Sequence, residues 1–319
     1  MPPKFSVVAP IYNEEALVEQ FYARVRDVMT GLGEPWELIL VNDGCRDRSP
    51  ELMDALHAAD PEHVVVIHFA RNFGHQLAIT AGLDHARGQA VAVIDSDLQD
   101  PPEVIAEMVA RWHEGYDVAY AVRAEREGET WFKLWTARAF YRLIQRITDV
   151  DIPLDTGDFR LMDRKALDAF LQMREKRRFV RGMVSWIGFR QIGVHYKRHA
   201  RTAGETKFPL HKMLRFAFDG ITSFSQFPLK LSTWAGTAAV GLGLLLALVL
   251  LILRLGGSAP LAGQGLTASL VLFLGGVQLW SVGILGEYVG RLHEEALDRP
   301  LYLIREIKGR DDHPAPPVS

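Results

Sequence analysis

The sequence predicts an α/β domain built on a mostly parallel sheet, followed by a hairpin of two membrane-crossing helices. Three observations carry this expectation. In the first hundred residues, apolar runs with strand propensity alternate with segments of helical periodicity. Four of those runs end in polar and charged residues at the positions where ligands of such sheets gather. From Leu231 to Leu253, and again from Leu266 to Gly286, no charged residue occurs, and a spanning helix needs ~20 such residues.

The elements follow in order. FSVVAPIY is a strand, and EEALVEQFYARVRDVM then carries apolar residues at helical spacing. WELILVNDG is strand then turn, and SPELMDALHAA is helical. VVVIHFA is the third strand, HQLAITAGLDHA the third helix and AVAVIDSD the fourth strand. The strands are near-continuously apolar, which predicts a parallel sheet covered on both faces. There is no internal repeat, and the terminal HPAPPVS reads as disordered.

The chain has 319 residues, 48% hydrophobic and 24% charged, with a net charge of −3. That balance gives no electrostatic case for nucleic acid as a partner. The single cysteine, Cys45, excludes an intrachain disulfide and a Cys-based zinc cluster, and fits a reducing compartment. The N-terminal apolar run is too short, and too soon followed by charge, for a secretion signal.

The link between the two uncharged runs, GGSAPLAGQG, has no Lys or Arg. The outer flanks hold Lys212, Arg215 and Lys230 on one side and Arg291, Arg299, Arg305 and Lys308 on the other. The positive-inside rule then places both the N-terminal domain and the tail in the cytoplasm, making the chain a multi-pass protein of the cytoplasmic membrane. Arg254 can snorkel to the outer interface. The expected divisions are a soluble domain over 1–206, a juxtamembrane amphipathic segment over 207–230, two spans within 231–289 (about 231–254 and 266–288), and a cytoplasmic tail over 290–319. Phe216, Phe218, Phe224 and Phe227, bracketed by Pro209 and Pro228, suit the headgroup layer or packing against the domain. Gly241, Gly243, Gly275 and Gly276 permit close helix contact and hence a homo-oligomer.

The strand exits hold the unusual residues. Strand one ends in Pro10, Tyr12, Asn13, Glu14 and Glu15, strand two in Asn42, Asp43 and Gly44, strand three in Arg71 and Asn72, strand four in Asp95, Asp97 and Gln99. Taken alone, Asp43-Gly44 reads as a turn, and Asp95-Ser96-Asp97 is equally a solvated acidic turn. Together, the four exits predict one crevice. Two carboxylates one residue apart suit a hard cation, and Mg²⁺ takes one or two of them and leaves the rest of its shell to water and phosphate. No phosphate-binding G-x-x-x-x-G-K-[ST] loop and no G-x-G-x-x-G is present. A phosphate site must therefore use metal and cations, for which Arg123, Arg138, Arg178, Arg181, Arg201 and Lys207 are candidates. His75 reads as a surface or packing histidine.

Taken in order, VVAPIYNEE, LVNDGCRD, FARNFGHQLAITAGLDHA, DSDLQDPPE, DTGDFRLM, RFVRGMVSWIGF and RTAGETKFPLHKMLRFAFDGITSFS resemble family 2 glycosyltransferases. The nearest group is the GtrB-like polyprenyl-phosphate glycosyltransferases, related to dolichol-phosphate mannose synthase, and the resemblance runs from about residue 5 to 308. It implies a GT-A fold, with a Rossmann-like, mostly parallel sheet. It also implies inverting transfer of one sugar from a nucleotide-sugar to a polyprenyl phosphate such as undecaprenyl phosphate, with Mg²⁺ or Mn²⁺. Family 2's processive members carry Gln-x-x-Arg-Trp where this chain has RFVRGMVSW, with Arg181 and Trp186 spaced differently, which argues for a single transfer.

Residue by residue, the resemblance places Pro10, Tyr12, Asn13, Glu14, Asp43, Arg71 and Asp95 at the nucleotide, and Asp97 and Gln99 at the metal. Asp158 and Asp95 fall in the catalytic centre, Asp158 as a base or an orienting group. Arg123, Arg138, Arg201 and Lys207 fall to the acceptor phosphate. UDP-glucose is the first donor it suggests. UDP-galactose, a UDP-N-acetylhexosamine, a UDP-aminoarabinose derivative and GDP-mannose remain open, as does the oligomer, for which a tetramer is expected. Two other readings compete: a membrane-anchored glycosyltransferase with a non-lipid acceptor, and a nucleotide-sugar-binding regulator without turnover.

Overall fold

A computed structural model describes residues 2–123, 156–197, 227–255 and 264–309. They fall into two units. One gathers the described residues up to 197 together with 299–309, and the other holds 227–255 and 264–298.

The first unit is built on an eight-stranded sheet. In chain order its elements are β1 (Phe5–Ile11), α1 (Val18–Gly31), β2 (Trp36–Asn42), α2 (Ser49–Ala59), β3 (Val64–Phe69), α3 (His75–His85), β4 (Ala90–Val93), α4 (Val104–His113), β5 (Val118–Arg123), β6 (Thr156–Asp163), α5 (Arg164–Leu171), α6 (Val180–Trp186), β7 (Gln191–Tyr196) and β8 (Ile304–Lys308). The sheet order is β7-β5-β6-β4-β1-β2-β3-β8. The mostly parallel α/β sheet expected from the sequence is therefore present. β4, β1, β2 and β3 form its parallel centre, and every residue of these strands is buried. α1 covers one face with Val18, Phe21, Val25 and Met29, the three-and-four spacing of a single helical stripe.

Two features of the topology position the site. The chain runs β1, β2, β3 to one side and then crosses back, so that β4 lies against the other side of β1. The reversal opens a crevice at the carboxyl ends of β1 and β4. Next to β4, β6 runs antiparallel. Its first residues, Thr156 to Asp158, consequently lie at the same edge as the last residues of β4.

At the opposite side β8 pairs antiparallel with β3. This strand lies inside the stretch the sequence reading treated as a tail. It is fastened by Lys308 Nζ on Asp54 at 2.7 Å, by Ala70 N donating to Leu303 O at 2.9 Å, and by Tyr302 Oη donating to Asp84 at 2.6 Å. The Tyr302 ring stacks on Phe69 with centroids 5.2 Å apart. β8 also removes the exposed β3 edge, which would otherwise offer unpaired backbone groups to another chain.

The second unit is a pair of helices in mutual contact, α7 (Phe227–Leu255) and α8 (Gln264–Ala296). Among the described residues no helix is long and apolar enough to cross a membrane. Leu242, Leu245, Leu248 and Ile252 of α7, and Val271, Phe273, Leu279 and Val282 of α8, are nonetheless exposed.

Candidate active site

At the exit of β2 the chain turns sharply. Gly44 has φ +68°, and a Cβ there would collide with the backbone nitrogen of Asn72 and lie 2.8 Å from the carbonyl carbon of Arg71. The β2 and β3 exits thus touch backbone to backbone, and only glycine fits. Asp43 is buried beside this contact. Its Oδ1 accepts from Phe73 N at 2.7 Å and Gly74 N at 3.1 Å, its Oδ2 from Asn72 Nδ2 at 2.9 Å and Gly74 N at 3.0 Å. Three donors meet the carboxylate, the Gly74 N–H being shared between its two oxygens, out of about four acceptor positions. Burial pushes the Asp43 carboxyl up, with the Phe73 and Gly74 amides opposing. Asp43 thus also holds the loop that launches α3.

Asn13 is likewise engaged in the scaffold. It has φ +55°, its Oδ1 accepts from Arg46 N at 2.8 Å, and its N–H donates to Cys45 Sγ at 3.3 Å. The Glu14 N–H donates to Ser49 Oγ at 3.0 Å. Pro10 is buried within β1, its carbonyl accepting from Ser96 Oγ at 3.1 Å. Tyr12, in contrast, is 46% exposed. Tyr12 and Arg71 line a cavity of about 520 Å³. The Arg71 guanidinium lies 4.2 Å from the centroid of the Phe73 ring.

β4 leads into Asp95, Ser96 and Asp97. Asp97 Oδ1 accepts from Gln99 N at 3.1 Å, and Leu98 between them has φ +57°. The turn thereby ties the Asp97 carboxylate to the Gln99 backbone. Asp95 Oδ1 is buried and has no hydrogen-bond donor. Its carboxyl is pushed up to about 6, chiefly by burial, with the His75 charge opposing and Asp158, Asp100 and Asp97 adding. A buried carboxylate oxygen without a hydrogen bond, a second carboxylate and an amide oxygen are the hard donors a divalent cation takes. Among the described residues no group of three or more His, Cys, Asp or Glu is arranged around a metal position, and Mg²⁺ needs only one or two carboxylates.

Asp158 arrives at the same edge on β6 and is 4% exposed. Arg181 Nε donates to its Oδ1 at 3.0 Å and Gln76 Nε2 to its Oδ2 at 3.0 Å. Gln76 Oε1 also accepts from Val180 N at 3.0 Å, tying α3 to the start of α6. Burial alone would raise the Asp158 pKa. The charges of Arg181, His75 and Arg160 outweigh it and hold the carboxyl well below the usual carboxylate range.

His75 opens α3 directly after the loop that Asp43 organises. Its Nε2 lies 3.4 Å from Asp95 Oδ1 and 3.3 Å from Asp158 Oδ2. Burial lowers its pKa, but the two carboxylates win and raise it to about 9. The His75 side chain is 45% exposed, as a surface histidine would be, and in addition it bridges the two aspartates of the site. The available signal was FARNFGHQ itself, which puts His75 and Gln76 at the exit edge of strand three.

Arg123 ends β5 at this edge. Its Nε is buried without a partner, and its Nη2 lies 3.4 Å from where a Cβ on Gly157 would be. Tyr196, opposite it on β7, hydrogen-bonds Asp100. Arg138, Arg201 and Lys207 lie outside the described residues.

Residues 6–171 match the model described as glycosyl transferase family 2, and residues 227–292 match the GtrB C-terminal hairpin. The chain is 50% identical over 317 residues to YkcC of Bacillus subtilis (strain 168), an uncharacterized glycosyltransferase, with 97% of this chain and 98% of that one covered. It is 40% identical over 305 residues to the bactoprenol glucosyl transferase of Shigella phage SfV, covering 96% and 99%. It is also 40% identical over 303 residues to the SfII prophage-derived bactoprenol glucosyl transferase of Shigella flexneri, covering 95% and 98%.

Proposed function

We infer the reaction from one premise: the chain belongs to glycosyl transferase family 2 and, within it, to the polyprenyl-phosphate glycosyltransferases with a GtrB C-terminal hairpin. On it, the chain transfers one sugar, glucose, from a UDP-linked donor to undecaprenyl or a similar polyprenyl phosphate at the cytoplasmic face of a membrane. The convergence of Asp95, His75 and Asp158 at the carboxyl edge of a GT-A sheet carries this reading.

An oxygen of the acceptor phosphate attacks the anomeric carbon while the bond from that carbon to the diphosphate oxygen breaks. The electron pair leaves with the nucleoside diphosphate, and the configuration inverts. A phosphate monoester has a second pKa of ~6 and is already mostly dianionic at pH 7, so the acceptor needs little help from a base. Asp158 suits an orienting role better. A carboxylate so strongly favoured in its ionised form is a poor proton acceptor. Arg123, with a buried and unpartnered Nε, suits the acceptor phosphate, because its planar fork matches phosphate oxygens. Asp97, Gln99 and Asp95 have the donor atoms to hold Mg²⁺ or Mn²⁺, which when bound would neutralise the diphosphate leaving group.

The hairpin fits an acceptor with its head in water and its tail in lipid. Exposed Leu245, Leu248, Ile252, Phe273, Leu279 and Val282 need an apolar medium, and Leu231 to Leu253 carries no charge. A bilayer supplies that medium, and a tetramer is the assembly we assign.

The test is radiolabel transfer. Full-length protein, undecaprenyl phosphate and Mg²⁺ are offered UDP- and GDP-sugars, with Asp97→Ala as control. Metal-dependent label in the lipid phase from UDP-glucose, lost in the control, is expected. Donor binding without transfer to lipid from any sugar would overturn the acceptor.

A further inference from the structure

The cavity beside Tyr12 has one wall that the strand exits of the parallel sheet do not supply. Arg305, from β8, lines it together with Tyr12, Arg71, Asp47 and Glu51. β8 follows the hairpin in sequence, so this residue lies over two hundred positions from the others. We propose that Arg305 is a donor-binding residue that grips the base end of the nucleotide, so that the strand following the hairpin completes the donor pocket. This rests on the nucleotide-sugar reading of the site and adds a specificity-determining residue to it.

The geometry is particular. Along β3 and β8, His68 pairs with Glu306 and Phe69 with Ile304, and the register shifts between them. Arg305 is the extra residue of that bulge. Bulges re-aim side chains and gather beside active sites. Covering the β3 edge needs only backbone pairing and would be served by any residue here. A bulge that places an exposed arginine at the cavity wall is a separate feature.

Position indicates which part of a nucleotide Arg305 would meet. The sheet order from the acidic turn outward is β4, β1, β2, β3, β8. Adjacent strands are ~4.8 Å apart, so β8 lies roughly 19 Å from β4. With the diphosphate over Asp97, the nucleoside extends past Tyr12 toward β3, and its base ends nearest Arg305. A base presents carbonyl and ring-nitrogen acceptors, which guanidinium N–H groups can meet in pairs. The exposed Tyr12 ring offers a stacking face along the same path. Lys308 on Asp54 and Tyr302 on Asp84 hold β8 on either side of the bulge, so the arginine is presented from a fixed strand.

The experiment is titration of full-length protein, in detergent with Mg²⁺, with UDP and with GDP, alongside Arg305→Ala and Arg305→Lys. Arg305 is exposed, and thermal melts check that the variants fold alike. The expected result is UDP binding about tenfold weaker in Arg305→Ala, as for loss of one or two charged hydrogen bonds. Arg305→Lys is expected to recover part of it, and the donor KM to rise while kcat at saturating donor is kept. Equal UDP affinity in wild type and Arg305→Ala overturns the role of Arg305 and leaves the donor site standing. Failure of the wild type to bind either nucleotide overturns the donor reading, and this inference with it.

Discussion

Arg181 Nε donates to Asp158 Oδ1 at 3.0 Å, joining the second residue of α6 to the third residue of β6. Asp158 is buried, while the Arg181 side chain is 32% exposed. The arginine therefore keeps part of its hydration and still neutralises a carboxylate that water cannot reach. Arg181→Ala removes a charged hydrogen bond from a buried acceptor, and is expected to lower stability by about 2 kcal/mol. It should also slow transfer, because Asp158 loses the partner that fixes its orientation. Denaturant melts and kcat report the two effects. Unchanged kcat with lowered stability would make the pair merely structural.

Asp43 is expected to behave as a loop organiser. Asp43→Ala removes the acceptor of the part-buried Phe73 and Gly74 amides, while Asn72 Nδ2 keeps the carbonyl oxygen of residue 43, and is expected to cost roughly 1–2 kcal/mol. Hydrogen exchange at residues 72–74 should accelerate, and kcat should fall because His75 follows directly on this loop. A variant with native exchange rates and only a raised donor KM would assign Asp43 to the nucleotide alone.

Gly44→Ala tests the contact between the β2 and β3 exits. The substitution combines φ +68° with a collision against the Asn72 backbone, and backbone strain of this kind costs roughly 1–3 kcal/mol before the collision is counted. A melting temperature close to wild type would show that the exits can separate.

These cases show what the sequence made readable. β1 to β4 and α1 to α3 were legible because their burial imposes periodicity on the chain itself. The four exits were legible because strand ends are visible in one dimension. The partners of a side chain are not: nothing in the sequence around Asp43 shows that it also holds the Phe73 and Gly74 amides. His75 was missed because its importance depends on β6 running antiparallel beside β4, which brings Asp158 to Asp95 from far along the chain. IREIK in β8 is too short and too charged to stand out. It is a strand because Asp54 and the β3 edge make it one.

That last point gives a pH dependence. Asp54 Oδ1 lies 2.9 Å from His68 Nε2 and Asp54 Oδ2 lies 2.7 Å from Lys308 Nζ. Burial would raise its pKa, but the bonds to Lys308 and His68 prevail and lower it. A depressed folded-state pKa contributes stability that is present above the unfolded value of ~3.9 and is lost as pH falls through the folded one. His68 Nδ1 faces the Asn42 amide nitrogen at 2.9 Å, and Lys308 also lies 3.9 Å from Glu306. Below pH 4, wild type should approach Asp54→Asn in melting temperature, and exchange at the β8 amides should rise in wild type toward the variant. A difference between the two that stays constant from pH 6 to pH 2 would assign the attachment of β8 to backbone pairing alone.

Metal removal distinguishes binding from catalysis at the acidic turn. With the Asp97 carboxylate held by the Gln99 N–H, a cation would arrive at a turn already formed. Chelation should therefore abolish transfer, and added Mg²⁺ or Mn²⁺ should restore it without a slow refolding phase. Asp97→Asn keeps the turn, because an amide oxygen still accepts from Gln99 N, but it removes a negative charge from the cation. It should raise the metal concentration needed for half-maximal rate on the order of tenfold, with the thermal melt unchanged. Transfer that survives both chelation and Asp97→Asn would mean that the diphosphate is neutralised by protein cations, and Arg71 and Arg123 would be the residues to replace next.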